Sequence, residues 1–553
     1  MTNTPSIDYQ IMWNRLMAVV EEQATTLIRT AFSTSVREAG DLSAGLFDLQ
    51  GRMMVQAVTG TPGHVNAMAE SVPHFIAEIG MRNMCEDDVY LTNDPWKGTG
   101  HLHDFTVVSP AFRKGRHIGF FASTAHVVDI GGRGFGPDAN EVYEEGLLIP
   151  IMKFADKGKV SDDLTRIVRA NVRAPDAVVG DLYSLAACNA AGDRRLQDMM
   201  SEFGITDLAG LADFIIDTSH QATRACIGAL KAGTYAHEMT VDGYDAPVHL
   251  KVSLTVQGDT IRANFDGTSG TSRFGVNVPL SYTRAYACYG LKCAIAPEIP
   301  NNTGSLQPFE VQAPEGCILN ALRPAPVSVR HVLGHLVPDI VLGALHGCMP
   351  ATVPAEGSSA LWNIQMRAVH VAGSADHPNA ELLMFNSGGT GARPTLDGLS
   401  ATAFPSGVKT MSVEATEHVG PITVWRKELR TGSGGAGTYR GGLGQVIEIA
   451  PRAGYDLWFN AMFDRIDYPA RGREGGHNGQ AGMVALADGT RLPGKGRQKI
   501  ADGTRMVLSL PGGGGYGDPR QRPRALVHAD LAAGYITKEQ AITAYGLINT
   551  DAE

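Results

Sequence analysis

The sequence has few cysteines, no long apolar run and no excess of basic residues, and each absence excludes a class of protein. Its 553 residues include 7 scattered cysteines without a CxxC pair, which favours free thiols and predicts a cytoplasmic protein. No uninterrupted apolar stretch of about 18 residues occurs, so no membrane span is expected. The 47 basic and 57 acidic residues give a net charge of −10, which argues against general nucleic-acid binding.

Glycine, by contrast, is abundant, with 65 residues and no G-X-Y period. The excess is expected in turns and at tight backbone sites, because glycine alone lacks a Cβ atom. Apolar residues make up 43% of the chain, which is ordinary for a globular protein. At about 100–200 residues per domain, the length predicts two to four domains.

Hydrophobic periodicity predicts a multidomain α+β protein. Long helices are predicted over 8–38 and 330–347, and a hairpin is predicted to turn at Gly258. The glycine run 511–518 is predicted to form a tight, rigid turn, and Thr537 is predicted to open the last helix through a capping box. The predicted units are an N-terminal mixed α/β domain that carries the metal candidates, a mixed α/β middle domain, a Gly-rich and strand-rich domain and a C-terminal helical pair, over 1–240, 241–350, 351–520 and 521–553.

Potential metal ligands are concentrated between residues 93 and 132, in a group made up of His101, His103, Asp104, His126 and Asp129. Imidazoles and carboxylates suit a borderline divalent metal such as zinc, manganese or iron. In a regular strand His101 would point away from Asp104, so their convergence requires a bend, for which the neighbouring glycines are suited. The alternative is that these side chains cap strands and turns and hold no metal.

Sequence motifs for other kinds of catalysis are absent, apart from one acidic pair. The sequence contains no GxxxxGK[ST] phosphate loop, no GxSxG nucleophile elbow and no HExxH helix. The acidic pair Glu144-Glu145 is a candidate for a general base, and the alternative is a solvated acidic turn. The residues alone therefore leave both the metal and the base open.

Three segments in order, NDPWKGTGHLHDFTVV (93–108), AHVVDIGG (125–132) and EEGLLIP (144–150), resemble the hydantoinase B family. That family includes B-type subunits of N-methylhydantoinases and oxoprolinases and the alpha subunits of acetone and acetophenone carboxylases. Further matches cover nearly the whole chain and include REAGDLSAGLFDLQGRM (37–53), FDGTSGTSRFGVN (265–277) and SGGAGTYRGGLG (433–444).

The resemblance implies one subunit of a larger enzyme. An A-type ATPase partner would use ATP and magnesium to phosphorylate the substrate carbonyl, and the present chain would carry a divalent metal in a hetero-oligomer, α2β2 or larger. The implied metal ligands are Asp41, His101, Asp104 and His126. The family commonly has proline where this chain has His103, which implies that His103 is not an obligatory ligand.

Further roles are expected in the mechanism that this resemblance suggests. Asp129 is expected to orient a ligating imidazole, and Glu145 to accept a proton from water. Arg330 and His331 are expected to steady a phosphate or oxyanion, and Trp96 to lie at the substrate pocket.

The function expected is ATP-dependent hydrolysis of a small cyclic amide, namely a hydantoin, 5-oxoproline or a lactam. One alternative is a subunit of an ATP-dependent ketone carboxylase. A second is a non-catalytic assembly subunit whose histidines and aspartates are structural.

Overall fold

A computed structural model describes residues 4–359, 361–373 and 378–547 and confirms the predicted multidomain mixture of helices and sheets. The N-terminal region contains α1 (Thr4–Thr30), α2 (Thr34–Arg37), β1 (Leu42–Phe47), β2 (Met53–Gln56), α3 (Pro62–Ile79), β3 (Val89–Thr92), β4 (Asp104–Arg113), β5 (Arg116–His126), α4 (Val142–Glu145), β6 (Met152–Asp156), β7 (Lys159–Val160), α5 (Asp162–Asn171), α6 (Pro175–Glu202) and α7 (Ala209–Gly228). Its strands form one antiparallel sheet in the order β2-β1-β5-β4-β3-β6-β7.

Both faces of this sheet are covered by helices. Successive strand residues point to opposite faces, so Leu46 and Val107 join the core shared with α1, α6 and α7. Their neighbours Phe47 and Val108 join the core shared with α3. The strand ends are thus held between two packed layers, which fixes the positions of side chains at those ends.

The predicted single helix over 8–38 is wrong, because α1 ends at Thr30 and α2 begins at Thr34. The carboxylate of Asp181 accepts the backbone N–H groups of Phe32 and Ser33 at 2.8 and 3.1 Å. These N–H groups are therefore bound outside the helical ladder, and the chain changes direction before β1.

The middle region forms a second sheet with helices packed against it. It contains β8 (Gly233–Val241), β9 (Val248–Gln257), β10 (Thr260–Asn264), α8 (Leu280–Ile295), α9 (Thr303–Leu306), β11 (Phe309–Gln312), α10 (His331–Gly334) and α11 (Val337–Leu345), with strand order β11-β10-β9-β8. The hairpin predicted at Gly258 is confirmed. The predicted helix over 330–347 is divided into α10 and α11, since Pro338 in the first turn of α11 has no N–H to continue a helical ladder.

The C-terminal region is a sandwich of two four-stranded sheets followed by helices. It contains β12 (Ile364–His370), β13 (Ala380–Met384), α12 (Val413–Val419), β14 (Ile422–Leu429), β15 (Gln445–Pro451), β16 (Tyr455–Met462), β17 (Met483–Leu486), β18 (Lys495–Ile500), β19 (Met506–Ser509), α13 (Arg524–Ala532) and α14 (Lys538–Thr543). The strand orders are β13-β12-β16-β18 and β14-β15-β19-β17, around one shared core. The capping box of Thr537 is confirmed. Among the helices of the described residues, none is long and apolar enough to span a bilayer.

The glycine run 511–518 does not form the predicted tight turn. It is an irregular segment that lies against other glycine-rich segments: the N–H of Gly513 donates to Gly442 O at 3.0 Å, and the N–H of Gly435 donates to Gly513 O at 2.9 Å. A Cβ atom on Gly513 would lie 1.9 Å from Thr390 O. Close approach between backbones, rather than a turn, therefore requires glycine there.

Candidate metal centre

Three neighbouring strands bring Asp41, Asp104 and His126 to one end of the N-terminal sheet. Asp104 begins β4 and lies opposite His126, the last residue of β5. Asp41 directly precedes β1, whose first residue lies opposite the residue before His126. Because β1 and β4 both run antiparallel to β5, the starts of β1 and β4 meet the end of β5 at the same edge. Residues far apart in the chain therefore converge.

His101 reaches this group through the predicted bend. Residues 101–103 form a turn before β4, and Gly100 has a φ of +97°. His101 Nε2 lies 2.7 Å from Asp104 Oδ1, and His126 Nδ1 lies 3.0 Å from the same oxygen. One ligand atom from each of His101, Asp104 and His126 lies within 4.8 Å of the others, and all three residues are buried.

The ring nitrogens fit a bound metal. His101 Nδ1 lies 2.8 Å from the carbonyl oxygen of Ser328, which requires a proton on Nδ1 and leaves the Nε2 lone pair free. His126 Nδ1 faces Asp104, and the buried Nε2 atoms of both rings have no hydrogen-bond partner among the described residues. Burial and the charge of Arg330 lower the pKa of His101 to about 3, so this ring is neutral, the form that binds metals. Two free imidazole lone pairs beside a carboxylate are a donor set for zinc, manganese or iron.

Asp104 is the anionic centre of the cluster. Its Oδ2 accepts hydrogen bonds at 2.6 Å from Arg330 Nη2 and from Thr99 Oγ1. Although burial opposes ionisation, His101, His64 and Arg330 hold the pKa of Asp104 well below its usual range. The carboxylate therefore stays charged although it is buried.

His64, from the first turn of α3, joins the group without having been predicted. Its Nε2 lies 2.9 Å from Asp104 Oδ2 and its Nδ1 lies 3.5 Å from Asp41 Oδ1. Burial opposes protonation, but the carboxylates of Asp104 and Asp41 raise the pKa of His64. The one available signal was Pro62, which marks a helix start and so places His64 where the positive end of α3 faces the carboxylates.

Asp41 lies beside the cluster, but the group of three residues whose ligand atoms converge does not include it. Its carboxylate accepts the hydroxyl of Thr61 at 3.1 Å and faces His64. The structure therefore brings together all four residues implied as ligands. Only three of them, His101, Asp104 and His126, have ligand atoms within 4.8 Å of one another.

A cavity of about 20 Å³ adjoins the cluster, with room for about one water molecule. His331 lines it, and its Nε2 donates to Asn363 Oδ1 at 2.8 Å. Arg330 also lines it and places its guanidinium 3.9 Å from the centre of the Tyr282 ring. Neither Asn363 nor Tyr282 was predicted, because both reach the cavity only through the tertiary packing of segments that are distant in the sequence.

Glu145, Asp129 and Trp96 lie outside the cavity lining. Burial raises the pKa of Glu145 to about 8, and its Oε1 accepts the backbone N–H groups of Val327 and Ser328 at 2.6 and 2.7 Å. This places the expected base behind the backbone that faces His101.

The other two candidates have structural partners. Asp129 accepts the N–H of Gly131 at 3.2 Å and forms an ion pair with Arg173 at 2.7 Å, so it faces a loop rather than an imidazole. Trp96 donates from Nε1 to Ala321 O at 2.8 Å, and the guanidinium of Arg323 lies over its ring at 4.8 Å.

His103 is buried beside the cluster but is not part of the ligand group. Its ring stacks on His126 with centroids 5.4 Å apart and lies 4.9 Å from the ring of Phe135. Within the described ranges, neither ring nitrogen has a hydrogen-bond partner. His103 therefore packs against His126, one of the three residues of the ligand group, and contributes no ligand atom to that group.

Comparisons with known proteins show what the whole chain is similar to. The family model for hydantoinase B/oxoprolinase matches residues 6–519. The putative B-type subunit of the D-/L-hydantoinase from Pseudomonas sp. (strain NS671) is 29% identical, over 99% of this chain and 96% of the relative. The crystal structure of the ATP-dependent caprolactamase from Pseudomonas jessenii has a TM-score of 0.91 at 25% identity, covering 100% of this chain and 98% of the other. Nucleotide-free acetone carboxylase has a TM-score of 0.86 at 19% identity, covering 99% and 80%, which shows a shared fold.

Proposed function

Because the chain belongs to the hydantoinase B/oxoprolinase family, we propose that it is the metal-binding catalytic subunit of an ATP-dependent enzyme that opens a cyclic amide. The substrate class is a hydantoin, 5-oxoproline or a lactam. The observation that carries the proposal is the buried group of His101, Asp104 and His126, whose ligand atoms converge and whose free ring nitrogens have no other partner in the described part of the chain.

ATP is assigned to a partner subunit. Amide resonance makes a cyclic amide carbonyl a poor electrophile, and phosphorylation of its oxygen creates a good leaving group. This chain has no GxxxxGK[ST] motif of its own. The hydantoinase relative is named as a subunit, which supports an A-type ATPase partner that carries ATP and magnesium.

The metal would be held by His101, Asp104 and His126, with Asp41 as the fourth ligand. When bound, a divalent metal lowers the pKa of water and polarises a carbonyl or phosphoryl oxygen. Arg330 keeps Asp104 ionised through its 2.6 Å contact.

His331 is the proposed proton acceptor. Its Nε2–H donates to Asn363, so the unprotonated nitrogen is Nδ1, in a ring that lines the cavity. Burial and the positive charges of nearby groups lower the pKa of His331 well below its usual range, which keeps the ring neutral. The neutral ring has a lone pair that can take a proton, but its low pKa makes it a weak base, so the role proposed for His331 would require water whose own pKa a bound metal has lowered.

Reconstitution with the ATPase partner tests this function. The complex is offered hydantoin, 5-oxoproline or caprolactam with ATP, and then acetone or acetophenone with labelled bicarbonate. ATP-coupled ring opening that requires this chain supports the proposal. Fixation of bicarbonate would instead assign a ketone carboxylase, and turnover by the partner alone would leave this chain an assembly role.

A further inference from the structure

The cavity beside the metal cluster is too small for a substrate ring. Its volume of about 20 Å³ corresponds to about one water molecule. A cyclic amide must therefore be held in a neighbouring space before its reacting carbon meets the cluster.

A second cavity, of about 590 Å³, lies next to the small one. Three short segments, 40–41, 60–62 and 407–409, contribute residues to both cavities. In the middle segment, for example, Thr61 lines the small cavity, and its neighbours on both sides line the large one. The two spaces are thus separated by a wall one residue thick.

The large cavity, here called the lysine chamber, has a positively charged lining, although the chain as a whole is negatively charged. Its described lining contains Lys292 and Lys409 and no aspartate or glutamate, whereas the whole chain carries −10. Lys292 donates its ammonium to the carbonyls of Ala296 and Ile299, just beyond α8, which fixes its position. Lys409 is exposed, and its side chain forms no ion pair with any described residue.

We propose that the lysine chamber receives the reactant and that Lys292 and Lys409 bind an anionic group on it. Two kinds of group share this chemistry: a carboxylate of the cyclic amide itself, and the phosphoryl group added by the ATPase partner. The inference rests on the proposed function for the identity of the reactant. The anion-binding property belongs to the chamber and is measurable without turnover.

Equilibrium binding to the full-length, metal-loaded chain is the first test. 5-Oxoproline, inorganic phosphate and neutral caprolactam are titrated into the wild type, Lys409→Glu and Lys409→Arg. Lys231→Glu, which changes another exposed lysine, is the matched control. Reversing the charge should lower the affinity for at least one anion about tenfold or more, which is the loss expected for a charge-assisted contact. Lys409→Arg and Lys231→Glu should bind that anion like the wild type.

Turnover by the reconstituted complex separates the two sources of the anion. If Lys409→Glu lowers kcat/KM for 5-oxoproline and spares caprolactam, the bound group is the substrate carboxylate. An equal fall for both substrates assigns the phosphoryl group, since both reactants would carry it.

The chamber inference is overturned if neither anion binds the wild type, or if Lys409→Glu binds both anions as tightly as the wild type does. A wild-type complex that binds an anion through Lys409 but opens no cyclic amide would contradict the proposed function and leave the chamber intact. The two failures are therefore distinguishable.

Discussion

The carboxylate of Glu145 accepts the backbone N–H of Ser328 at 2.7 Å, and the carbonyl of Ser328 faces His101 Nδ1 at 2.8 Å. Glu145 thus positions His101 through one residue of backbone and does not touch the cavity. By fixing the proton on Nδ1, the Ser328 carbonyl directs the Nε2 lone pair of His101 towards the cluster.

Glu145→Gln should change the pH dependence of stability. Burial raises the pKa of Glu145 from 4.5 to about 8, so the native state keeps a proton that the unfolded chain has lost. The stability from this group is full below about pH 4.5 and falls as pH rises towards 8. Relative to the wild type, the Tm of Glu145→Gln should therefore rise between pH 5 and about pH 8. Parallel Tm curves would contradict the assignment.

His101→Ala should remove most of the metal and abolish turnover while leaving the fold largely intact. It deletes one of two free imidazole lone pairs, so one of the proposed protein ligands of the metal is lost. Elemental analysis of purified protein checks the metal, and circular dichroism checks the fold. His249→Ala, at a half-exposed histidine outside the cluster, is the control. Full metal content in His101→Ala would show that His101 is not a metal ligand.

His103→Pro should retain its metal. The side chain of His103 has no hydrogen-bond partner among the residues that the structure describes, and its contacts with His126 and Phe135 are ring packing alone. The same elemental analysis applies, with His101→Ala run in parallel. Metal loss in His103→Pro and not in His101→Ala would mean that the other imidazole is the ligand.

Arg330→Met should destabilise the metal-free protein by about 3 kcal/mol, because it leaves a buried carboxylate without its charged partner. Arg330 and Asp104 are both buried and lie 2.6 Å apart. Chemical denaturation measures the effect, with Arg262→Met, at an exposed ion pair with Glu310, as the control. Equal stability of the two variants would show that Asp104 does not need this charge.

Gly513→Ala should destabilise the C-terminal sandwich by about 1–3 kcal/mol or more, as overpacking does. The added methyl group would lie 1.9 Å from Thr390 O, and backbone atoms cannot move aside cheaply. Gly270→Ala is the matched control, because its nearest neighbouring atom is 4.0 Å away. Thermal unfolding of both variants is the measurement, and similar Tm values would contradict the account of the glycine-rich layer.

Local pattern was sufficient for much of the fold. The hairpin at Gly258 and the capping box at Thr537 were predicted because alternation and capping act within a few residues. The break after Thr30 was not predictable, since its cause, Asp181, lies about 150 residues further along the chain. The glycine run 511–518 was misread for the same reason: its backbone partners are distant segments.

The site divides in the same way. The sequence showed five potential ligands close together in the chain, and the resemblance selected His101, Asp104 and His126 from them and added Asp41. His64 and Asn363 were missed, because each comes from a different element and neither stands near another ligand type in the sequence. Glu145 was expected to be a base from its place in an acidic pair and from the mechanism that the resemblance suggests, and only the tertiary structure reveals the backbone that it holds.

X-ray diffraction from metal-loaded crystals, recorded at the zinc, manganese and iron edges, tests the central claim most directly. The account predicts one strong anomalous peak within coordination distance of His101 Nε2, Asp104 and His126. A peak elsewhere, or none at these residues in protein that elemental analysis shows to be metal-loaded, would contradict it.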